Sequence, residues 1–490
     1  MFKASQRFWA LPEMQLEVAK YIDERDFRQI ILTSRQNHRR FLGDAWRRVA
    51  GIGHLLAILH DDLALRALGR GRPAVEVPPL EQLDRGRIGR FLMHTAVVQR
   101  LRVNSNPNRF VAWQGLDRLL GLPALVNQQA VMPVLTHFSI EVGQKYRRVE
   151  LAPFIRLVAN RRLQQIWVAP NLSRVYPRST LADGEGVFNA LISAFGNEQP
   201  LQWLSMRYPE SVENEGERRD KMIQLFLPLS RNLRYFNTTI WFVSLPLLHA
   251  LSQAPLERLE IQGRAPVPHV DMDMVDQLAL PEGAFANLRL LLLQDVPLGF
   301  ARHLIMVQPL INNIVALRLE ICDIIEIEED EEDEEVLYLQ LIQRLAAFPR
   351  LRELTFSSSR PESGLPYPLP ITILEPLIQK RLELLRLFRV GIPDSQGFQW
   401  LRYPITTGHW ENLKVLSIMH QDLKADDMIC LAGLPNIIEL GGNVSLALAT
   451  TPQEPFAGGF MQHLRFSSQY RFRARFDQSY DRPSVQAILR

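Results

Sequence analysis

LERLEI (256–261), LRLLLL (288–293), IVALRL (314–319), LRELTF (351–356) and LELLRL (382–387) repeat one pattern, LxxLxL, and the fold follows from that repetition. Working outward, the pattern continues toward the N-terminus as LRYFNT (233–238), LQWLSM (201–206), LQQIWV (163–168), LTHFSI (135–140) and VQRLRV (98–103). Toward the C-terminus it continues as LKVLSI (413–418), IIELGG (437–442) and MQHLRF (461–466). Thirteen matches, the first, fifth, twelfth and last of them imperfect, recur at intervals of 23 to 38 residues with a mean near 30, the spacing of a repeat array. Alternate residues of a strand share a face, so the fourth and sixth positions point together into a core. Between matches the periodicity turns helical and then stops. Leu337, Leu341 and Leu345 stand four apart before Pro349, and the same order of helix, stop and strand recurs at 151–168, 186–206, 219–238 and 245–261. Neither a lone strand nor a lone helix buries its apolar side, so the units must stack.

From residue 98 to 466 these matches resemble the leucine-rich-repeat family. The resemblance implies an α/β solenoid with a curved parallel sheet inside and helices outside. The asparagine that usually follows the strand is mostly absent here, with Asn104 and Asn443 the nearest equivalents.

The chain of 490 residues is 47% hydrophobic and 22% charged, which suits a continuous globular core and excludes wholesale disorder. Two cysteines, Cys322 and Cys430, have no CxxC spacing and are too few for a disulfide scaffold, so a reducing compartment is expected. No apolar run approaches the length needed to span a bilayer, and the N-terminus lacks the apolar stretch of a secretory signal. The expected address is cytoplasmic or nuclear, with no membrane partner. Net charge is +3, and 326–335 (EIEEDEEDEE) holds nine acidic residues that read as a solvated loop. Residues 1–110 carry 19 Lys and Arg against 11 Asp and Glu, too diffuse a surplus to point to nucleic acid.

Ahead of the repeats, residues 11–49 read as three short helices. Pro12 suits a first helical turn, Asp26 can cap a second helix carrying Phe27, Ile30 and Ile31, and Ser34 can cap a third carrying Phe41 and leading to Trp46. Leu11-Pro12-Glu13, Leu32-Thr33-Ser34-Arg35 and Trp46-Arg47-Arg48-Val49 resemble the F-box motif. The departures are Asn37-His38, where tryptophan is common, and Ile30. The resemblance implies that Leu11, Pro12, Leu16, Ile22, Leu32 and Trp46 contact the adaptor subunit of a cullin-RING ubiquitin ligase. The reading from the residues alone is a helical cap on the array. The expected organisation is an F-box-like module at 1–50, and then a helix and Arg/Gly/Pro-rich linker at 51–95, with 69–90 a linker or loop. A solenoid follows at 96–470 and a cap or tail at 471–490, where YRFRARF (470–476) reads as a closing strand.

Catalytic signatures are missing: no GxxxxGK[ST], HExxH, GxSxG or calcium loop occurs, and His54 and His60, six apart, have no cysteine or carboxylate at ligand spacing. No catalytic residue, metal or cofactor is expected. Binding is expected on the strand face opposite the core, at the third and fifth positions and the residue after each match. Those positions give Gln165, Trp167, Trp203, Arg207, Tyr235, Asn237 and Arg258, with Trp203 and Tyr235 in equivalent places. Such aromatic and arginine side chains are enriched in binding hot spots. The combined expectation is a substrate-recognition subunit of an SCF-type ligase that holds an unknown protein client. A scaffold without ligase association and a small-GTPase regulator stay open as alternatives.

Overall fold

The LxxLxL matches become strands wherever the structure describes them. In the computed structural model the described residues are 35–60, 74–103, 112–122, 130–142, 151–170, 181–196, 198, 200–206, 216–263, 280–281, 283–322, 334–359, 367–368, 375–377, 380–388, 390–391, 408–423 and 434–444. The chain forms two compact units, Met1–Asn232 and Leu233–Arg490.

The first unit runs α1 (Arg35–Trp46), β1 (Arg48–Ala50), α2 (Ile52–Leu59), β2 (Ala74–Glu76), α3 (Arg85–Thr95), β3 (Arg100–Arg102), β4 (Ala112–Gln114) and β5 (His137–Val142). It continues with α4 (Leu151–Val158), β6 (Gln165–Pro170), α5 (Leu181–Phe195), β7 (Trp203–Met206) and α6 (Gly216–Phe226). Strands β1, β3, β5, β6 and β7 are neighbours in that order and pair in parallel. Register places Val49, Leu101, Phe138, Ile166 and Leu204 in one line across the five strands, each at most 3% exposed.

The second unit runs β8 (Tyr235–Thr239), α7 (Leu245–Gln253), β9 (Arg258–Gln262), β10 (Leu290–Val296), α8 (Leu298–Met306), α9 (Gln308–Ile311), β11 (Ala316–Cys322) and α10 (Glu334–Ala346). It continues with β12 (Glu353–Ser359), β13 (Tyr367–Pro368), β14 (Leu384–Phe388), β15 (Val390–Gly391), β16 (Val415–Leu423) and β17 (Glu439–Val444). Its eight-membered order β8-β9-β10-β11-β12-β14-β16-β17 is again parallel, and β13 pairs with β15 at the side. Phe236, Leu259, Leu291, Leu317, Leu354, Leu385 and Leu416 form the core line, each at most 2% exposed. Ile261, Leu293, Leu319, Phe356, Leu387 and Ile418 form a second. Burying each such side chain stabilises by about 1.5–3 kcal/mol, which makes the stacked lines the dominant favourable contribution. The fold class is therefore α/β, a repeated parallel sheet with helices, compatible with a solenoid-like arrangement.

Three sequence expectations change. Residues 69–90 were expected to be linker or loop, but β2 pairs in parallel with β4, and α3 starts at Arg85 with the Asp84 carboxylate accepting the Arg87 N–H at 2.9 Å. Val77 and Leu83 are buried between these elements. Non-local pairing outweighs the local Gly and Pro content. Second, among the described residues the sheet already includes Arg48–Ala50, ahead of the expected start near 96, because the last residues assigned to the helical module form β1. Third, the buried stripe of α10 is Tyr338, Leu341, Ile342 and Leu345, with Leu337 only half-buried. The expected strand at 470–476 and acidic residues 326–333 lie outside the described residues.

A structural role also emerges that the strand pattern does not announce. Asn160, between α4 and β6, is 8% exposed. Its Nδ2 donates to the carbonyls of Met132 and Leu135 at 3.0 Å each and of Val158 at 3.1 Å, while its Oδ1 accepts the Arg162 N–H at 2.7 Å. One amide thus fixes the turn that enters β6 against the turn that enters β5.

Candidate functional site

Because the core lines occupy every second residue, the intervening residues line the opposite, open face of each sheet. In the first unit, register aligns Arg48, Arg100, His137, Gln165 and Trp203, and beside them Ala50, Arg102, Ser139, Trp167 and Ser205. Arg48, Arg100 and Arg102 are exposed, His137 and Gln165 half-buried, and Trp167 is 40% exposed. Trp203 is half-buried and diagonal to Trp167 on the next strand. Gln165, Trp167 and Trp203 therefore share one face as expected. Arg207 lies outside the described residues.

The Thr136 hydroxyl donates its single proton to the Gln99 carbonyl at 3.0 Å, so its 2.7 Å contact with His137 Nδ1 has the ring N–H as donor. Burial first, and then the charges of Arg100 and Arg48, hold the His137 pKa below the usual histidine range. The ring is consequently neutral near pH 7.

In the second unit Tyr235 aligns with Arg258 and Asn237 with Glu260. The Tyr235 hydroxyl donates to Glu260 Oε2 at 2.7 Å and accepts from Asn237 Nδ2 at 3.2 Å. Arg258 pairs with the same carboxylate oxygen at 3.2 Å and lies over the Tyr235 ring, 5.0 Å from its centroid. Gln262 Nε2 donates to the other carboxylate oxygen at 3.1 Å. Burial, together with the adjacent Glu260 charge and hydrogen bond, raises the Tyr235 pKa well above the ordinary phenol value. Tyr235 and Asn237 are only 5% and 1% exposed, so they occupy the expected face but are not surface contacts. The side chains expected to meet a client directly are instead committed to one another: the Tyr235 hydroxyl holds Glu260, and the Asn237 amide donates to that hydroxyl. Arg258, with a side chain 37% exposed, is the accessible member. Among the described residues Asn237 Oδ1 and Arg258 Nε have no hydrogen-bond partner. Further along this face Arg318 pairs with Glu320, and Arg386 with Glu439 at 3.4 Å.

Trp46, expected to meet an adaptor, is half-buried and stands edge-on to His94 of α3, ring centroids 4.8 Å apart. Leu11, Pro12, Leu16, Ile22 and Leu32 lie outside the described residues.

The sequence reading missed Arg48, Arg100, Arg102 and His137. The third and fifth positions of VQRLRV and LTHFSI would have named all but Arg48, whose short strand has no repeat signature. Chemically, the first unit's face offers cations, neutral hydrogen-bonding groups and an exposed indole, a set suited to binding. Among the described residues no cluster of three or more His, Cys, Asp or Glu side chains is placed to hold a metal ion, and no helix is long and apolar enough to cross a membrane. No model of a known protein family matches the chain, and no curated protein matches it either.

Proposed function

We propose that the chain is the substrate-recognition subunit of an SCF-type cullin-RING ubiquitin ligase, binding the adaptor through its F-box-like N-terminal stretch and a protein client through the open face of its repeats. The observation that carries this reading is the first unit's face, where exposed Trp167 and the arginines stand on a repeated parallel sheet whose first strand follows directly from α1. Such a subunit needs no catalytic residue of its own. Tethering a client beside the transfer machinery raises its effective concentration, and the chemistry belongs to other subunits. The reading is tested by expressing the full chain with the adaptor subunit and purifying through a tag on the chain. Stoichiometric recovery of the adaptor supports it, and an untouched adaptor refutes it.

A second reading is a scaffold whose helices close the array without ligase association. Two observations favour it: Trp46 packs on His94 within the chain, and Arg48–Ala50 belong to the sheet. In that case Trp46→Ala destabilises the protein and no adaptor is recovered with either variant or parent.

A further inference from the structure

We propose that the open face of β1, β3, β5 and β6 takes its client through an extended acidic segment, with carboxylates over Arg48 and Arg100 and the following apolar side chain on Trp167. This rests on the client-receptor reading and specifies the chemistry of the docking segment.

Arg48 and Arg100 are direct register partners on adjacent parallel strands, both exposed. Like charges placed opposite one another weaken a sheet. Neither guanidinium forms an ion pair among the described residues, whereas on the second unit's face Arg258, Arg318 and Arg386 each have a glutamate. His137, next in the same line, is neutral and supplies no compensating charge. An anionic ligand would relieve this repulsion. Trp167 lies two strands over from Arg100 and two residues further along, roughly 12 Å away, a distance that an extended peptide spans in three or four residues. Ser139 and Gln165, half-buried between them, offer hydrogen bonds to a peptide.

A protein segment suits this face better than nucleic acid. Phosphate backbones call for a long stripe of cations, but here the charge ends at β3 and gives way to neutral and aromatic groups.

The test is fluorescence anisotropy of the full chain with a short labelled peptide of alternating Glu and Ser, followed three residues later by Phe. Saturable binding is expected. The R48E/R100E variant should lose about tenfold in affinity, and R48Q/R100Q less. Trp167→Ala should weaken the Phe-bearing peptide several-fold and leave an Ala-ended peptide unchanged. A Gln-for-Glu peptide should not bind. Full affinity in R48E/R100E, with the parent's thermal midpoint retained, overturns the proposal. So does displacement of the label by single-stranded oligodeoxyadenylate at lower concentration than by unlabelled peptide. Adaptor recovery from the same preparation separates the two ideas: loss of the adaptor with peptide binding intact refutes the ligase reading alone, and the converse refutes the acidic site alone.

Discussion

Replacing Asn160 by Ala removes, in one side chain, the donor to three carbonyls and the acceptor for one backbone N–H. The site is 8% exposed, so water cannot simply substitute. A typical buried hydrogen bond contributes about 1 kcal/mol net, and a buried group left without a partner costs about 1–3 kcal/mol. The two amide protons are shared among three carbonyls, so the bonds are not independent; we expect a loss of about 3 kcal/mol. For a unit of this size each kcal/mol lowers the midpoint by roughly 2–4 °C, which predicts a fall of roughly 6–12 °C. Asn160→Asp should be worse, because it replaces the donating amide with a carboxylate facing the same carbonyls. The assay is urea and thermal denaturation followed by far-UV circular dichroism, with both variants beside the parent. A change below about 0.5 kcal/mol, the usual range for an innocuous surface substitution, would mean that the Asn160 amide does not hold the two turns together.

Other outcomes follow from the same geometry. Tyr235→Phe removes the proton donated to Glu260 and the acceptor for Asn237, and should cost about 1–3 kcal/mol in urea denaturation. The raised Tyr235 pKa means that the folded state holds this proton more tightly than the unfolded state; its contribution is complete below about pH 10 and is lost as pH rises further, so Tyr235→Phe should flatten the alkaline fall in stability. The lowered His137 pKa has the opposite consequence: below about pH 6.5 the unfolded chain binds a proton that the folded chain resists, so stability drops on acidification. His137→Gln should remove part of that drop, and NMR of the ring should show a midpoint below the ordinary value. Lys380 Nζ donates to the carbonyl of Ala346 at 2.6 Å and to that of Phe348, satisfying groups at the end of α10. Lys380→Met should speed amide exchange in the last turn of α10, measured by hydrogen–deuterium exchange.

What was legible in the sequence is the part governed by periodicity. Leu259, Leu291, Leu317, Leu354 and Leu385 fall into line from the sequence alone because each is the fourth position of its LxxLxL match. The same parity put Trp167, Trp203, Tyr235 and Asn237 on the open face. It does not reveal which of them is covered, because the partners of Asn237 are Tyr235, two residues along its own strand, and Glu260, beside it on the next, and strand parity alone does not pair them. Residues 69–90 misled because Gly, Pro and Arg speak of local flexibility, while β2 is stabilised by a strand that arrives some forty residues later at Ala112–Gln114. Arg48 was hidden for a related reason: three residues form too short a strand to carry a pattern, and its partner is Arg100. Asn160 gave no repeat signal because it acts in a turn rather than in a strand.

Under the proposed function, the N-terminal stretch of this chain grips a ligase adaptor while the sheet holds a client. The most direct measurement is light scattering after size-exclusion chromatography of the purified full chain mixed with the adaptor subunit at micromolar concentration. A one-to-one complex that is lost on replacing Leu11 and Pro12 by Arg is the predicted result. Two separate peaks from a folded chain would contradict it.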